Sequence, residues 1–171
     1  MKLIEAMKKI KVIEKRIVDQ TAKITEYAAK PSNEKPVFET EEKQKKEVKS
    51  LLQSNEDLLN DLLTLKTQVE YTNLVTKIEI DGKNFSISEM LVLKRKGAQL
   101  MKKTYEALNT TMLEHKIRNY SNQSKDISLD RFYSEDEKNI NLSKWQSIYD
   151  NIDSRLEVVN ATIDLIENIP A

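Results

Sequence analysis

Leu3, Met7, Ile10, Ile13, Ile17, Ile24 and Tyr27 recur at steps of three and four residues, the spacing that returns side chains to one face of an α-helix. This pattern predicts a first helix over about residues 2–29, its seam interrupted by Gln20 and Thr21. Pro31 and Pro36 then bound a linker, residues 30–38, where lost N–H donors and steric conflict disfavour helix. A second helix is expected over about 40–73, with a stripe of Val48, Leu51, Leu52, Leu58, Leu59, Leu62, Leu65 and Val69. Two long amphipathic helices joined by a proline-bearing loop form a helical hairpin.

The period changes after residue 73. Lys77-Ile78-Glu79-Ile80 alternates, Asp81-Gly82 carries a two-residue turn signal, and Lys83-Asn84-Phe85 returns. These residues predict a small β-hairpin at 77–85. Ser86-Ile87-Ser88-Glu89 has the form of a capping box, and it opens a third helix expected over 87–116 with Leu91, Ala98, Met101, Tyr105, Leu108 and Met112 on one side. Between residues 118 and 141 the periodicity dissolves into Asn, Ser, Asp and Tyr, which reads as a long loop, with a short strand at Ile127–Leu129 as its one candidate element. Trp145, Ile148, Ile152, Leu156, Val159, Ile163 and Ile166 predict a last helix over about 142–168, stopped by Pro170. The fold class expected is all-α: a single helical domain, 1–171, built as an elongated antiparallel four-helix bundle with a β-hairpin at its tip.

Composition narrows the function more than it names it. Two glycines and three prolines cannot supply the turns of a sandwich or barrel, and isolated Gly82 and Gly97 build neither a Walker loop nor a dinucleotide fingerprint. The absence of cysteine removes thiol nucleophiles and thiolate metal sites, and His115, the only histidine, excludes a multi-histidine metal centre within one chain. Neighbouring Glu114 is badly placed to orient His115, because adjacent helical positions do not face each other. No enzyme, cofactor or metal is expected. The longest apolar run, Met90 to Leu93, is far too short to span a bilayer, and Met1 to Ala6 lacks the apolar core of a signal peptide, so a soluble cytoplasmic protein is expected.

Charged residues make up 33% of the chain and sum to zero, but they are segregated. Residues 1–30 carry eight basic against four acidic side chains, and residues 94–118 seven against two. Residues 39–62 carry four against seven, and residues 130–171 four against nine. Oppositely charged helices attract, within one chain or between copies; the basic 94–118 segment could otherwise face an anionic ligand. A zero net charge without a reader motif does not favour nucleic acid as a partner.

Aromatic and basic residues interleave late in the chain. Arg118, Tyr120, Arg131, Tyr133, Lys138 and Trp145 combine flat faces for a base with cations for a phosphate. Thr72, Asn73 and Ser134 add neutral hydrogen-bonding groups. Together these nine residues form the candidate ligand site, expected between the loop, the start of the last helix and the end of the second. Packing at the end of a bundle explains the aromatics equally simply, and Thr72, Asn73 and Ser134 are also natural capping residues.

The order of the pieces resembles the septicolysin-like family of small helical bacterial and phage proteins. The resemblance runs through Met1-Lys2-Leu3-Ile4-Glu5-Ala6, Thr72-Asn73-Leu74-Val75-Thr76, Asp81-Gly82, Ser86-Ile87-Ser88-Glu89-Met90-Leu91, Tyr133-Ser134 with Glu137, and Asn160 with Leu165. Tyr71, Phe132 and Ala161 depart from it, where arginine, arginine and tryptophan are expected. The resemblance implies an all-helical homo-oligomer with polar residues gathered at helix ends. The resulting expectation is a sponge-like binding protein, of a kind phages use against host defence, that sequesters a small anionic, nucleotide-derived ligand. The competing expectation is a structural coiled-coil subunit with no ligand.

Overall fold

The computed structural model describes residues 1–121 and 129–170. The chain is mostly helical, 72%, with one small two-stranded antiparallel sheet. It divides into two compact units: Met1–Thr76 with Val158–Ala171, and Lys77–Glu157.

The first unit is built on a coiled-coil hairpin of α1 (Leu3–Tyr27) and α2 (Glu41–Val75). Gln44, Leu51, Leu58, Leu65 and Thr72 are all buried and lie seven residues apart along α2. A seven-residue seam keeps facing its partner only if the helices wind about each other. On α1 the matching seam buries Leu3, Ala6 and Ile13. The pairs Gln44–Tyr27, Asn55–Thr21 and Lys66–Glu14 fix the antiparallel register. Leu52 and Leu59, which spacing alone places on the stripe, flank it instead and are each 48% exposed. The seam carries a polar layer: the side-chain oxygens of Gln20 and Asn55 are buried without a hydrogen-bond partner.

Thr40 caps α2, its hydroxyl accepting from the Lys43 amide at 3.2 Å. The linker is tied down by Gln44, whose amide donates to the Tyr27 carbonyl at 2.8 Å and accepts from the Val37 amide at 2.9 Å. Tyr27 and Phe38 meet edge to face, their ring centroids 4.8 Å apart.

The last helix, α6 (Glu135–Thr162), ends six residues before the expected position. Beyond it the chain is extended and pairs antiparallel with the start of the protein. The Leu3 amide donates to the Ile163 carbonyl at 3.0 Å, and the Leu165 amide to the Met1 carbonyl at 2.7 Å. Lys2 Nζ caps the helix end, donating to the Thr162 carbonyl at 2.8 Å and to Asp164 Oδ2 at 2.9 Å. This pairing satisfies backbone groups that further helix would otherwise have to satisfy, and it buries Leu165.

In the second unit, β1 (Lys77–Ile80) and β2 (Lys83–Ser86) pair Ile78 with Phe85 and Ile80 with Lys83. Asp81 and Gly82 both have positive φ, 50° and 74°, the mark of a type I′ turn, which matches strand twist. The single helix expected over 87–116 is divided. α3 (Ile87–Val92) passes into a π-helical turn, Leu93–Gly97, then α4 (Ala98–Glu106), and α5 (Thr111–Ser121) follows a break. At the break Asn109 bonds the Glu106 and Ala107 carbonyls with its side-chain amide, 3.1 and 3.3 Å away, while Thr110 pairs with Glu114 as α5 begins. Short polar side chains of this kind compete with helical hydrogen bonding. Ile127 and Ser128 of the strand considered at Ile127–Leu129 lie outside the described residues, and Leu129 is in no strand. The buried apolar residues of this unit include Ile87, Met90, Ala98, Ile152 and Leu156.

Candidate functional site

The hairpin, the π-turn and α6 enclose a cleft of about 510 Å³ in the second unit. Its walls are apolar. Ile80 and Phe85 come from the hairpin, Leu93 from the π-turn, and Trp145, Ile148 and Ile152 from one stripe of α6. Lys83, Lys144, Asp81 and Ser147 supply the polar lining. Both lysines are exposed, so the charged groups lie where the apolar wall meets water. Apolar walls with a few placed polar groups are the usual build of a small-molecule site.

Local sequence explains why the cleft exists. The type I′ turn folds β2 back against β1, and Asn151 on α6 donates to Asp81 Oδ2 at 3.4 Å. Ser86 then ends the hairpin and starts α3 through a reciprocal capping box. The Glu89 amide donates to Ser86 Oγ at 3.1 Å, and the Ser86 amide donates to Glu89 Oε2 at 2.6 Å. The π-turn carries Leu93 into the wall, where its side chain lies across Gly97. A Cβ at Gly97 would come within 3.0 Å of Leu93 Cδ2, so glycine is what lets Leu93 lie there. Lys94 pairs with Asp153 and ties the turn to α6. Neither Phe85, Ile80 nor Leu93 was named as a site residue from sequence; their apolar side chains carry no chemical signal until the hairpin is folded against α6.

Of the residues expected to form the ligand site, Thr72 and Asn73 belong to the first unit and the others to the second. Thr72 is fully buried in the first unit, and its hydroxyl is fully used: it donates to the Gln68 carbonyl at 2.8 Å and accepts from the Ile166 amide at 2.9 Å. It holds the C-terminal strand rather than offering a group to a ligand. Asn73, beside it, is half-buried in the same unit. In the second unit Arg131, Tyr133, Ser134 and Lys138 surround the start of α6. Ser134 is the N-cap of that helix, its hydroxyl accepting from the Glu137 amide at 3.3 Å, so α6 begins seven residues before the expected start. Tyr133 Oη donates to Glu135 Oε1 at 2.9 Å, Lys138 Nζ donates to Glu135 Oε2 at 3.3 Å, and Lys138 lies 5.8 Å from the centre of the Tyr133 ring. Arg131 faces Glu114 at 4.0 Å. The cations of this cluster therefore already have carboxylate partners. Arg118 stands exposed in α5, and the side chain of Tyr120 lies outside the described residues. Among the described residues of the nine, Trp145 alone lines the apolar cleft.

Three carboxyls are held below their ordinary values. Glu89 is lowered mainly by the Ser86 amide, Glu135 by the Tyr133 hydroxyl, and Asp164 by Lys2. A carboxyl lowered on folding contributes stability above its unfolded pKa, and that contribution is lost as pH falls through the folded value. Stability should thus fall on acidification from about pH 5 downward. Glu89→Gln should show a shallower fall in melting temperature between pH 6 and 3 than wild type. Parallel curves for the two proteins would remove Glu89 from the explanation. Burial and the bond to Glu135 push the Tyr133 hydroxyl upward, which keeps it protonated and donating.

No protein-family model matches the chain, and comparisons with curated proteins and with solved structures give no match either. Function must be read from the residues. Among the described residues no cluster of His, Asp or Glu is arranged to hold a metal ion, and no helix is long and apolar enough to cross a membrane. His115 is exposed on α5.

Proposed function

We propose that this protein captures a small anionic, nucleotide-derived molecule in the cytoplasm without transforming it, and that the cleft beside Trp145 receives the planar part of that ligand. The observation carrying this reading is the cleft itself: an indole and a phenyl ring in an apolar wall, with Lys83 and Lys144 exposed at its border. Flat rings stack on Trp and Phe, and exposed ammonium groups neutralise an anion held beside them. This keeps the ligand class suggested by the sequence and its septicolysin-like resemblance, but moves the site from between the 118–138 loop, the start of the last helix and the Thr72–Asn73 end of the second helix to the hairpin face of α6.

Self-association belongs to the same reading. The α1/α2 hairpin leaves Val12, Val18, Leu52, Leu59 and Leu63 exposed along its outer faces. A second copy laid on them would complete a four-helix bundle, with basic α1 facing acidic α2. The coiled-coil seam equally favours a scaffold role, and a ligand test separates the two.

Trp145 is the only tryptophan, so its fluorescence reports on the cleft directly. Titration with cyclic dinucleotides and ADP-ribose derivatives should produce saturable quenching with at least one of them. The same compound should raise the melting temperature, since a ligand at a hundred times its dissociation constant stabilises by about 2.7 kcal/mol. Lys83→Ala with Lys144→Ala should weaken that binding about tenfold or more. If no compound saturates, the scaffold reading stands and capture fails.

A further inference from the structure

The π-helical turn Leu93–Gly97 presents Lys94, Arg95 and Lys96 in succession. Such insertions into α-helices are rare and recur at functional sites. Next to the turn lies a second cleft, about 310 Å³, lined by Lys94, Arg95, Gln99, Lys102, Gln146 and Tyr149 together with Ala98. Gln146 and Tyr149 come from α6, which also gives Trp145, Ile148 and Ile152 to the first cleft. Among the described residues no carboxylate lines this cleft, although two bond side chains that do. Asp153 pairs with Lys94, and Asp150 accepts from the Gln146 amide at 2.9 Å. Lys102 Nζ donates to Gln146 Oε1 at 2.8 Å, a neutral oxygen that leaves its charge uncompensated. Arg95 is exposed and has no hydrogen-bond or ion-pair partner among the described residues. The Tyr149 ring, 38% exposed, forms one side.

We propose that this cleft is a phosphate-binding site for a nucleoside monophosphate. Arg95 offers the forked donor pair that matches two phosphate oxygens, and Lys102 adds a second charge from α4. Tyr149 provides a face for the base, and the Gln99 amide provides a donor and an acceptor for its edge. The volume is at the lower end of small-molecule sites and suits one nucleotide rather than two. The site does not rest on the Trp145 cleft, with which it shares no lining residue.

Calorimetric titration of the full chain with AMP, inorganic phosphate and adenosine tests it. AMP should bind saturably, and more tightly than either phosphate or adenosine. The double variant Arg95→Ala, Lys102→Ala should lose at least tenfold in AMP affinity with an unchanged far-UV circular dichroism spectrum, because both side chains are solvent-accessible and neither anchors a core. Trp145→Ala should leave AMP affinity unchanged; its loss there would assign AMP to the other cleft and overturn this site. Lys103→Ala, a charge outside the cleft, should also have no effect, and an equal loss from it would reduce the effect to general attraction. Absence of saturable AMP binding, or wild-type affinity in the double variant, overturns the proposal outright. Phosphate binding as tightly as AMP overturns the role of Tyr149 and Gln99.

Discussion

Ile152→Ala is expected to lower the unfolding free energy by about 2–5 kcal/mol, the range for deleting three carbons from a packed site. Ile152 has no exposed surface, and it belongs both to the buried residues of the second unit and to the wall of the cleft. Truncation removes transfer free energy and leaves a cavity that the helical backbone of α6 cannot close. Urea denaturation followed by far-UV circular dichroism should show a lower midpoint with an unchanged slope, the signature of lost stability without a change in exposed surface. A loss below about 1 kcal/mol would mean that the site collapses around the smaller side chain. Ile152→Val, with one methyl group removed, should cost only about 0.5–1.5 kcal/mol, so the pair of variants scales the effect with volume.

The second large effect concerns the C-terminal strand. Deleting residues 163–171 removes Leu165, which is 6% exposed, and with it the backbone bonds to Met1 and Leu3. It also leaves the Thr72 hydroxyl without the Ile166 amide and the Gln68 side chain without the Glu167 carbonyl. Burial of one leucine contributes about 1.5–3 kcal/mol, and each lost hydrogen bond about 0.5–1.5 kcal/mol. We expect a total loss of roughly 3 kcal/mol or more, confined to the first unit. Hydrogen exchange should locate it: amides of α1 and α2 near Leu3 and Thr72 should lose protection, while those of Ile87–Val92 should keep theirs. Uniform loss throughout both units, or none, would contradict a local latch. Thr72→Val, which keeps the shape and deletes the hydroxyl, should reproduce part of the loss.

What was legible in the sequence was mostly local. The α1 and α2 ranges, the hairpin with its Asp81-Gly82 turn, and the Ser86/Glu89 box follow from periodicity and turn chemistry, and the structure places each within two residues. The missed boundaries also had local signals. Ser134-Glu135-Asp136-Glu137 has the sequence form of a second capping box, and Thr110 pairs with Glu114 where α5 begins, but both lie in stretches that also carry the aromatic and basic residues of the candidate site. The π-turn has no comparable signature; Gly97 marks it only once Leu93 is known to cross it. The extended tail could not be seen either. Ile163 and Ile166 continue the helical period, and only pairing with Met1–Leu3, 160 residues away in sequence, makes the extended form preferable. The surroundings of the candidate site residues were not legible for a related reason. Spacing says which residue types are near in sequence, but not that Glu135 and Glu114 have already taken the cations, or that Thr72 is buried.

The nesting of the two units sets an order of events during synthesis. Residues 77–157 are contiguous and form one compact unit, which can begin to fold once they leave the ribosome. The first unit cannot. Its α1/α2 hairpin is made before the second unit, but Leu3 and Thr72 wait for Ile163 and Ile166, which follow that unit in the sequence. Until then the Leu3 amide lacks the Ile163 carbonyl and the Thr72 hydroxyl lacks the Ile166 amide. That interval is when a chaperone, or a second nascent copy on the same message, has access to surfaces that the finished protein keeps covered.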